Sequence, residues 1–125
     1  CEMTGARLIG ADLYRVDLGN ANLIDFNFVD SGFNLSYVDL TGASLDGANL
    51  SGLDLSNANL NGADLSDAYM LGANLSDANL TGADLSGATF SGKHGNSWYF
   101  ATWSNTVCPD GTNSDNNENT CVNNL

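Results

Sequence analysis

Large apolar residues recur along this chain every five positions. From Leu35 the series runs without a break through Leu40, Leu45, Leu50, Leu55, Leu60, Leu65, Met70, Leu75, Leu80, Leu85 and Phe90. Two residues before each stands a smaller apolar residue, most often Ala, as at Ala43, Ala48, Ala58, Ala63, Ala68 and Ala73. The same pairing opens the chain, with Cys1 and Met3 followed by Leu8, Leu13, Leu18, Leu23 and Phe28 as the large members. Between the two tracts the register slips by two residues, at Ser31-Gly32. The pattern is therefore six repeats, a two-residue insertion, and twelve further repeats ending at Gly92.

A period of five matches neither a 3.6-residue helix nor a long two-residue strand. Within each unit the apolar pair is two apart, so both side chains share one face of a short extended segment. Asp or Asn fills thirteen of the eighteen sites between the paired apolars, which makes the opposite face polar. Ser, Thr, Gly, Asn and Asp dominate the last two positions, where turns favour them and helices do not. A chain that steps, turns and repeats winds into a solenoid with its apolar residues inside.

Units such as Ala63-Asp64-Leu65, Ala73-Asn74-Leu75, Ala78-Asn79-Leu80 and Ala83-Asp84-Leu85 resemble the tandem A(D/N)LXX units of pentapeptide-repeat proteins. The resemblance covers residues 1–92. It implies an all-β fold, a right-handed quadrilateral parallel β-helix with four units per coil. Residues 20 apart then stack, and the repeats make about four and a half coils, a stub ~20–25 Å long at ~4.8 Å per rung. Three outward columns are expected: Asp12, Asn34, Asp54 and Asn74; Asp17, Asp39, Asn59 and Asn79; and Glu2, Asn22, Ser44, Asp64 and Asp84. Phe26, Phe33 and Leu53 depart from the small-residue column. Phe26, Phe28 and Phe33 are expected to fill space where the 31–32 insertion bulges at a corner, the alternative being that Phe33, five after Phe28, still belongs to the first register. Arg15 and Tyr37 become neighbours in one outward column, a cation–π arrangement. Ile9, Ile24, Val29 and Leu71 fall at outward positions.

The remaining residues, 93–125, read as a second unit that caps the solenoid. An open solenoid end exposes apolar core and unpaired strand edges, and Trp98, Phe100 and Trp103 are the plug expected there. Cys108 and Cys121 bracket a polar loop with no His nearby, and two thiolates are too few for a closed zinc site. An oxidised pair is the expectation, which places the protein in an oxidising compartment. The run from Thr102 to Ser114 also resembles the tail of exported pentapeptide-repeat proteins, including those of the cyanobacterial periplasm or thylakoid lumen. Asp110, Asp115 and Glu118 offer oxygens to Ca²⁺, although their spacing is not that of an EF-hand.

Charge changes this picture less than its size suggests. The 125 residues carry 15 acids against 3 Lys/Arg, a formal charge of −12. So few cations exclude a protein that binds nucleic acid directly through phosphate contacts. No apolar run approaches the ~18 residues of a spanning helix. Twelve of the fifteen acids lie within the repeats, where the outward code accounts for them.

Candidate chemistry is sparse. His94, the single histidine, has no acidic or serine partner in a recognisable arrangement, and neither an enzymatic site nor a cofactor is expected. Cys1 reads as a small core thiol within the first repeat, the alternative being an acylated terminus. Because the chain opens on Cys1 rather than Met, an upstream segment is expected to have been removed or left out. The leading functional reading is a non-catalytic structural or interaction module, exported to the periplasm, thylakoid lumen or cell exterior. Its partner is an unidentified protein, and the chain itself is a monomer or weak dimer. The alternative implied by the family is a mimic of duplex DNA that binds a topoisomerase or another basic protein. A calcium-stabilised surface module is a third reading.

Overall fold

The computed structural model describes residues 13–28, 34–90, 98, 100–114 and 121. The Leu8 member of the core column, Cys1, Phe33, the 31–32 insertion, His94, Asp115 and Glu118 lie outside them, as do Ile9 and Val29. The described chain winds as a right-handed, four-sided parallel β-helix. Each side is one short leg joined to its neighbours on the coils above and below by parallel bridges. The first face stacks Asp17, Asp39, Asn59, Asn79 and Thr102; the second, Asn22, Ser44, Asp64, Asp84 and Val107. The third carries Asn27, Asn49, Tyr69 and Thr89, and the fourth Asn34, Asp54 and Asn74.

The five-residue unit closes its backbone hydrogen bonds almost completely, which is why it repeats. In the unit around Leu60, Leu60 N donates to Asn79 O at 2.8 Å and Gly62 N to Thr81 O at 2.9 Å. Ala63 N turns back to Leu60 O at 3.0 Å, and Asp64 N reaches Ala43 O on the previous coil at 2.9 Å. The fifth amide, that of Asn61, is taken by the side chain of Asn59 at 3.3 Å. An unpaired amide would cost free energy in a coil this tight. Asp and Asn between the paired apolars are therefore turn-forming acceptors as well as an outward polar coat.

Each corner combines an i to i+3 bond with a positive φ at the second central residue, the signature of a type II turn. That residue is Gly at 42, 47, 52, 62, 72, 82 and 87, Asn or Asp at 20, 25, 57, 67, 77 and 105, and Arg15, Tyr37 and Phe100 at three further corners. Side-chain crowding adds to the backbone preference at Gly47 and Gly87. A Cβ there would collide with Oδ1 of Asp25 and Asp67 from the coil below. Asp and Gly accordingly alternate up this corner as Asp25, Gly47, Asp67 and Gly87.

Inside, Leu23, Phe28 and every large residue from Leu35 to Leu85 are fully buried, and Leu13 nearly so. Leu18 and Phe90 point inward and pack on the core but are half-buried, Leu18 on the lowest described coil. The oversized Leu53 is buried in the small-residue column, and Phe26 meets Phe28 at a centroid distance of 4.5 Å. Bridge partners are 22 residues apart from Asp17 through Asn27 and 20 apart from Asn34 through Tyr69, which puts the two additional residues between Phe28 and Asn34.

The repeat pattern read from sequence ends at Gly92, yet the coil continues beyond it. Thr102 bridges Asn79 and Val107 bridges Asp84, each 23 residues on, so three additional residues lie between Phe90 and Thr102. Trp103 and Cys108 thereby stand above Leu80 and Leu85, and Ala101 and Thr106 above Ala78 and Ala83. Trp103 is buried, and Phe90, Trp98 and Trp103 form a run of ring contacts at 5.4 and 6.4 Å. Phe100 corrects the expected plug. It occupies the positive-φ corner position and is 87% exposed, because a turn residue in that conformation projects away from the coil.

Candidate functional site

The chain then reverses and closes its own last edge. Val107 pairs antiparallel with Asn113, Cys108 N donates to Thr112 O at 2.7 Å, and Ser114 N donates to Thr106 O at 2.8 Å. Thr106 stands where lower coils carry Ala, and its hydroxyl donates to Leu80 O at 2.6 Å. Its amide donates to Ser114 Oγ at 3.0 Å, while the Ser114 hydroxyl donates to Trp103 O. Among the described residues no buried side-chain nitrogen or oxygen lacks a partner. Cys108 and Cys121, both fully buried, are joined in a disulfide with Cα atoms 5.2 Å apart.

The long faces supply the surface. Oδ1 of Asp17, Asn34, Asp39, Asp54, Asp64, Asn74, Asn79 and Asp84 each accepts the amide two residues on, at 2.9–3.1 Å. Amide groups link the coils as well. Asn79 Nδ2 donates to Asn59 Oδ1 at 3.2 Å, and Asn74 Nδ2 to Asp54 Oδ1 at 3.1 Å. Asn thus separates carboxylates on part of the surface, whereas Asp17 and Asp39, and Asp64 and Asp84, are direct bridge neighbours at one-rung spacing, where like charges repel. Asp39 is held below the usual carboxylate range, first by the Thr41 hydroxyl at 2.6 Å and then by the Thr41 amide at 3.0 Å.

Asp110, the described member of the calcium candidates, follows the same pattern. Its Oδ1 accepts from Thr112 N at 3.0 Å and Thr112 Oγ1 at 2.7 Å. Among the described residues no group of three or more His, Cys, Asp or Glu is placed to hold a metal ion. No helix among them is long and apolar enough to cross a membrane.

Apolar side chains interrupt the polar coat at a few places. Ile24 and Leu71 point outward as expected and are 41% and 46% exposed, with Tyr69 beside Leu71 at 53%. Arg15 and Tyr37 do occupy one corner column, but the guanidinium lies over its chain neighbour Tyr14, with Cζ 6.0 Å from the ring centroid. Tyr14 in turn meets Tyr37 edge-on at 5.7 Å. The sequence reading assigned Arg15 to the ring one coil above and missed Tyr14, which sits in the same turn.

A family model for pentapeptide repeats, in eight copies, matches residues 1–30, 31–62 and 54–92. Among solved structures, a pentapeptide repeat protein from the Arabidopsis thaliana thylakoid lumen is 32% identical, with a TM-score of 0.73, over 85% of this chain and 70% of that one. Rfr23 from the cyanobacterium Cyanothece 51142 is 36% identical, with a TM-score of 0.65, over 72% of this chain and 58% of that one. HetL, a pentapeptide repeat protein involved in heterocyst differentiation regulation in the cyanobacterium Nostoc sp. strain PCC 7120, is 30% identical with a TM-score of 0.54. It is matched over 83% of this chain and 62% of its own. This chain thus spans less than two thirds of the two cyanobacterial proteins. No curated protein sequence matches it.

Proposed function

The chain belongs to the pentapeptide-repeat family, and from that membership we propose that it is an exported, non-catalytic module that binds a protein partner through its polar faces. The observation that carries this reading is the use made of the acids. In leg after leg a carboxylate or amide oxygen holds the following turn, as Asp54 does for Ser56 and Asp84 for Ser86. Carboxylates so engaged build a rigid patterned surface rather than an acid–base pair, which needs two groups converging on one reacting atom. Rigid, flat faces lose little conformational entropy on binding, which suits them to recognition.

Export is supported by two further findings. Cys108 and Cys121 form a buried disulfide, a bond that persists where thiols are not kept reduced. The thylakoid-lumen relative covers most of this chain at 32% identity. The oxidising compartment proposed is therefore the periplasm, the thylakoid lumen or the cell exterior. Fractionation of the source cells, followed by capture of bound proteins from the enriched fraction, tests the reading. The expected result is enrichment in one of those compartments together with a specific protein partner. A cytoplasmic pool that captures a basic DNA-binding protein would overturn export and favour mimicry of duplex DNA instead.

A further inference from the structure

One corner of the coil breaks the rule that governs the others. Between the fourth and first faces, the positive-φ position is Arg15, Tyr37, Asn57, Asp77 and Phe100 on five successive coils, with φ of 59, 60, 59, 59 and 59°. Elsewhere the described positive-φ residues are Gly, Asn or Asp. An arginine, a tyrosine and a phenylalanine in the left-handed region are outliers, because a bulky Cβ substituent crowds the backbone there. All five side chains are exposed, Tyr37 by 50% and Phe100 by 87%. Strain accepted to display large side chains outward points to a use outside the fold.

The order of the five residues indicates what they meet. We propose that this corner is the contact ridge of a symmetric dimer, seated on a second copy of the same chain running in the opposite direction, with the two-fold axis at Asn57. Coils are evenly spaced at about 4.8 Å, so reversing one ridge against the other brings matching heights together. Arg15 then faces Phe100 of the second copy, a cation over an aromatic ring. On its own chain it already has Tyr14, with Cζ 6.0 Å from the ring centroid. Tyr37 faces Asp77 of the second copy, a phenol that donates to a carboxylate. Asn57 faces its own copy, and a primary amide both donates and accepts, which a dyad demands.

The flanking first face fits the same operation. Asp39 lies opposite Asn79 of the second copy, Asp17 opposite Thr102, and Asn59 opposite itself. A parallel arrangement puts Arg15 on Arg15 and Asp77 on Asp77, which repel. The fourth face contributes one unfavourable pairing, Asp54 against Asp54, set back from the ridge by the width of a leg. A ridge about 20 Å long lies at the low end of interface sizes, so the dimer is weak and reversible. Each copy carries −12, so added salt strengthens association by screening the repulsion between them.

Sedimentation velocity over ~10 µM to ~1 mM tests this, at ~0.15 M and ~0.5 M salt, where screening lengths differ about two-fold. The expected result is reversible dimerisation that tightens at higher salt. Tyr37→Gly and Phe100→Gly each relieve a strained turn, so both variants should melt at or above the parent temperature yet associate at least ~10-fold more weakly. Orientation is read by oxidative cross-linking on non-reducing gels, with the unsubstituted chain as control for Cys1. Asn57→Cys should trap a dimer efficiently, and Asp77→Cys should not. A chain that stays monomeric to ~1 mM at both salts, Gly variants that associate like the parent, or cross-linking through Asp77→Cys in place of Asn57→Cys would each overturn the proposal.

Discussion

Asp39 shows at residue scale how the outward code works. Two donors from Thr41 favour its ionised form, so its pKa falls on folding. A lowered folded-state value means that this stabilisation is fully present above the unfolded carboxylate pKa of ~3.9, and is lost as pH falls through the folded value. Thr41→Val removes the hydroxyl and leaves the amide. The Asp39 titration, followed by carboxyl-carbon NMR, should move up toward the ordinary value, and the variant should lose less stability than the parent on acidification. An unmoved titration would deny the hydroxyl its part.

Glycine gives a second residue-scale expectation. Gly62 has φ of +65° and open space where a Cβ would go, so Gly62→Ala pays only for the left-handed backbone, about 1–2 kcal/mol. Gly87→Ala carries that same backbone cost and must also displace the Asp67 side chain. Urea unfolding should rank Gly87→Ala below Gly62→Ala in stability. Period alone predicts that turn residues stand here; it does not show that alternate coils place a carboxylate over a glycine.

At the scale of the elements, the legs follow from sequence because each is a local unit that repeats the same corner and inter-coil backbone hydrogen bonds. Leu60 lies fully buried in the large-residue column, and Leu60→Ala should cost about 2–5 kcal/mol by emptying a space that the stacked coils cannot collapse to fill. The residues after Gly92 were harder to read. Ala101-Thr102-Trp103 and Thr106-Val107-Cys108 keep the spacing of five, but Trp and Cys replace Leu, Thr replaces Ala, and three extra residues break the register. Asn105 at the turn position was the remaining signal. Phe100 was misjudged for a related reason, since aromatic character alone does not say whether a residue falls in a leg or on a corner.

The upper edge supplies the element-scale test of that correction. Thr106 donates to Leu80 O from a fully buried site, and Thr106→Val leaves that carbonyl one bond short. A loss of about 1–3 kcal/mol is expected. Amide exchange should show Thr102 and Val107 protected comparably with Asn59 and Asp64, since all four sit in parallel bridges of the same two columns and donate to the coil below. Rapid exchange confined to Thr102 and Val107 would detach the tail from the coil.

Over the whole molecule, the charge of −12 loses its first meaning. Much of it is spread around the coil by a repeat that uses Asp or Asn at most of its turns, as acceptors for the amide two residues on. The fold was legible because one local rule is applied throughout. The ridge was not, because its five residues are separated by 20 to 23 positions and align only once both register breaks are known.

The thiol state of Cys108 and Cys121 in protein taken from its own cells, without reductant and with rapid alkylation, tests the reading of an exported, self-capped module most directly. Mass spectrometry should find both residues unalkylated until the unfolded chain is reduced. Free alkylation of both in the native protein would contradict the cap and the oxidising compartment together.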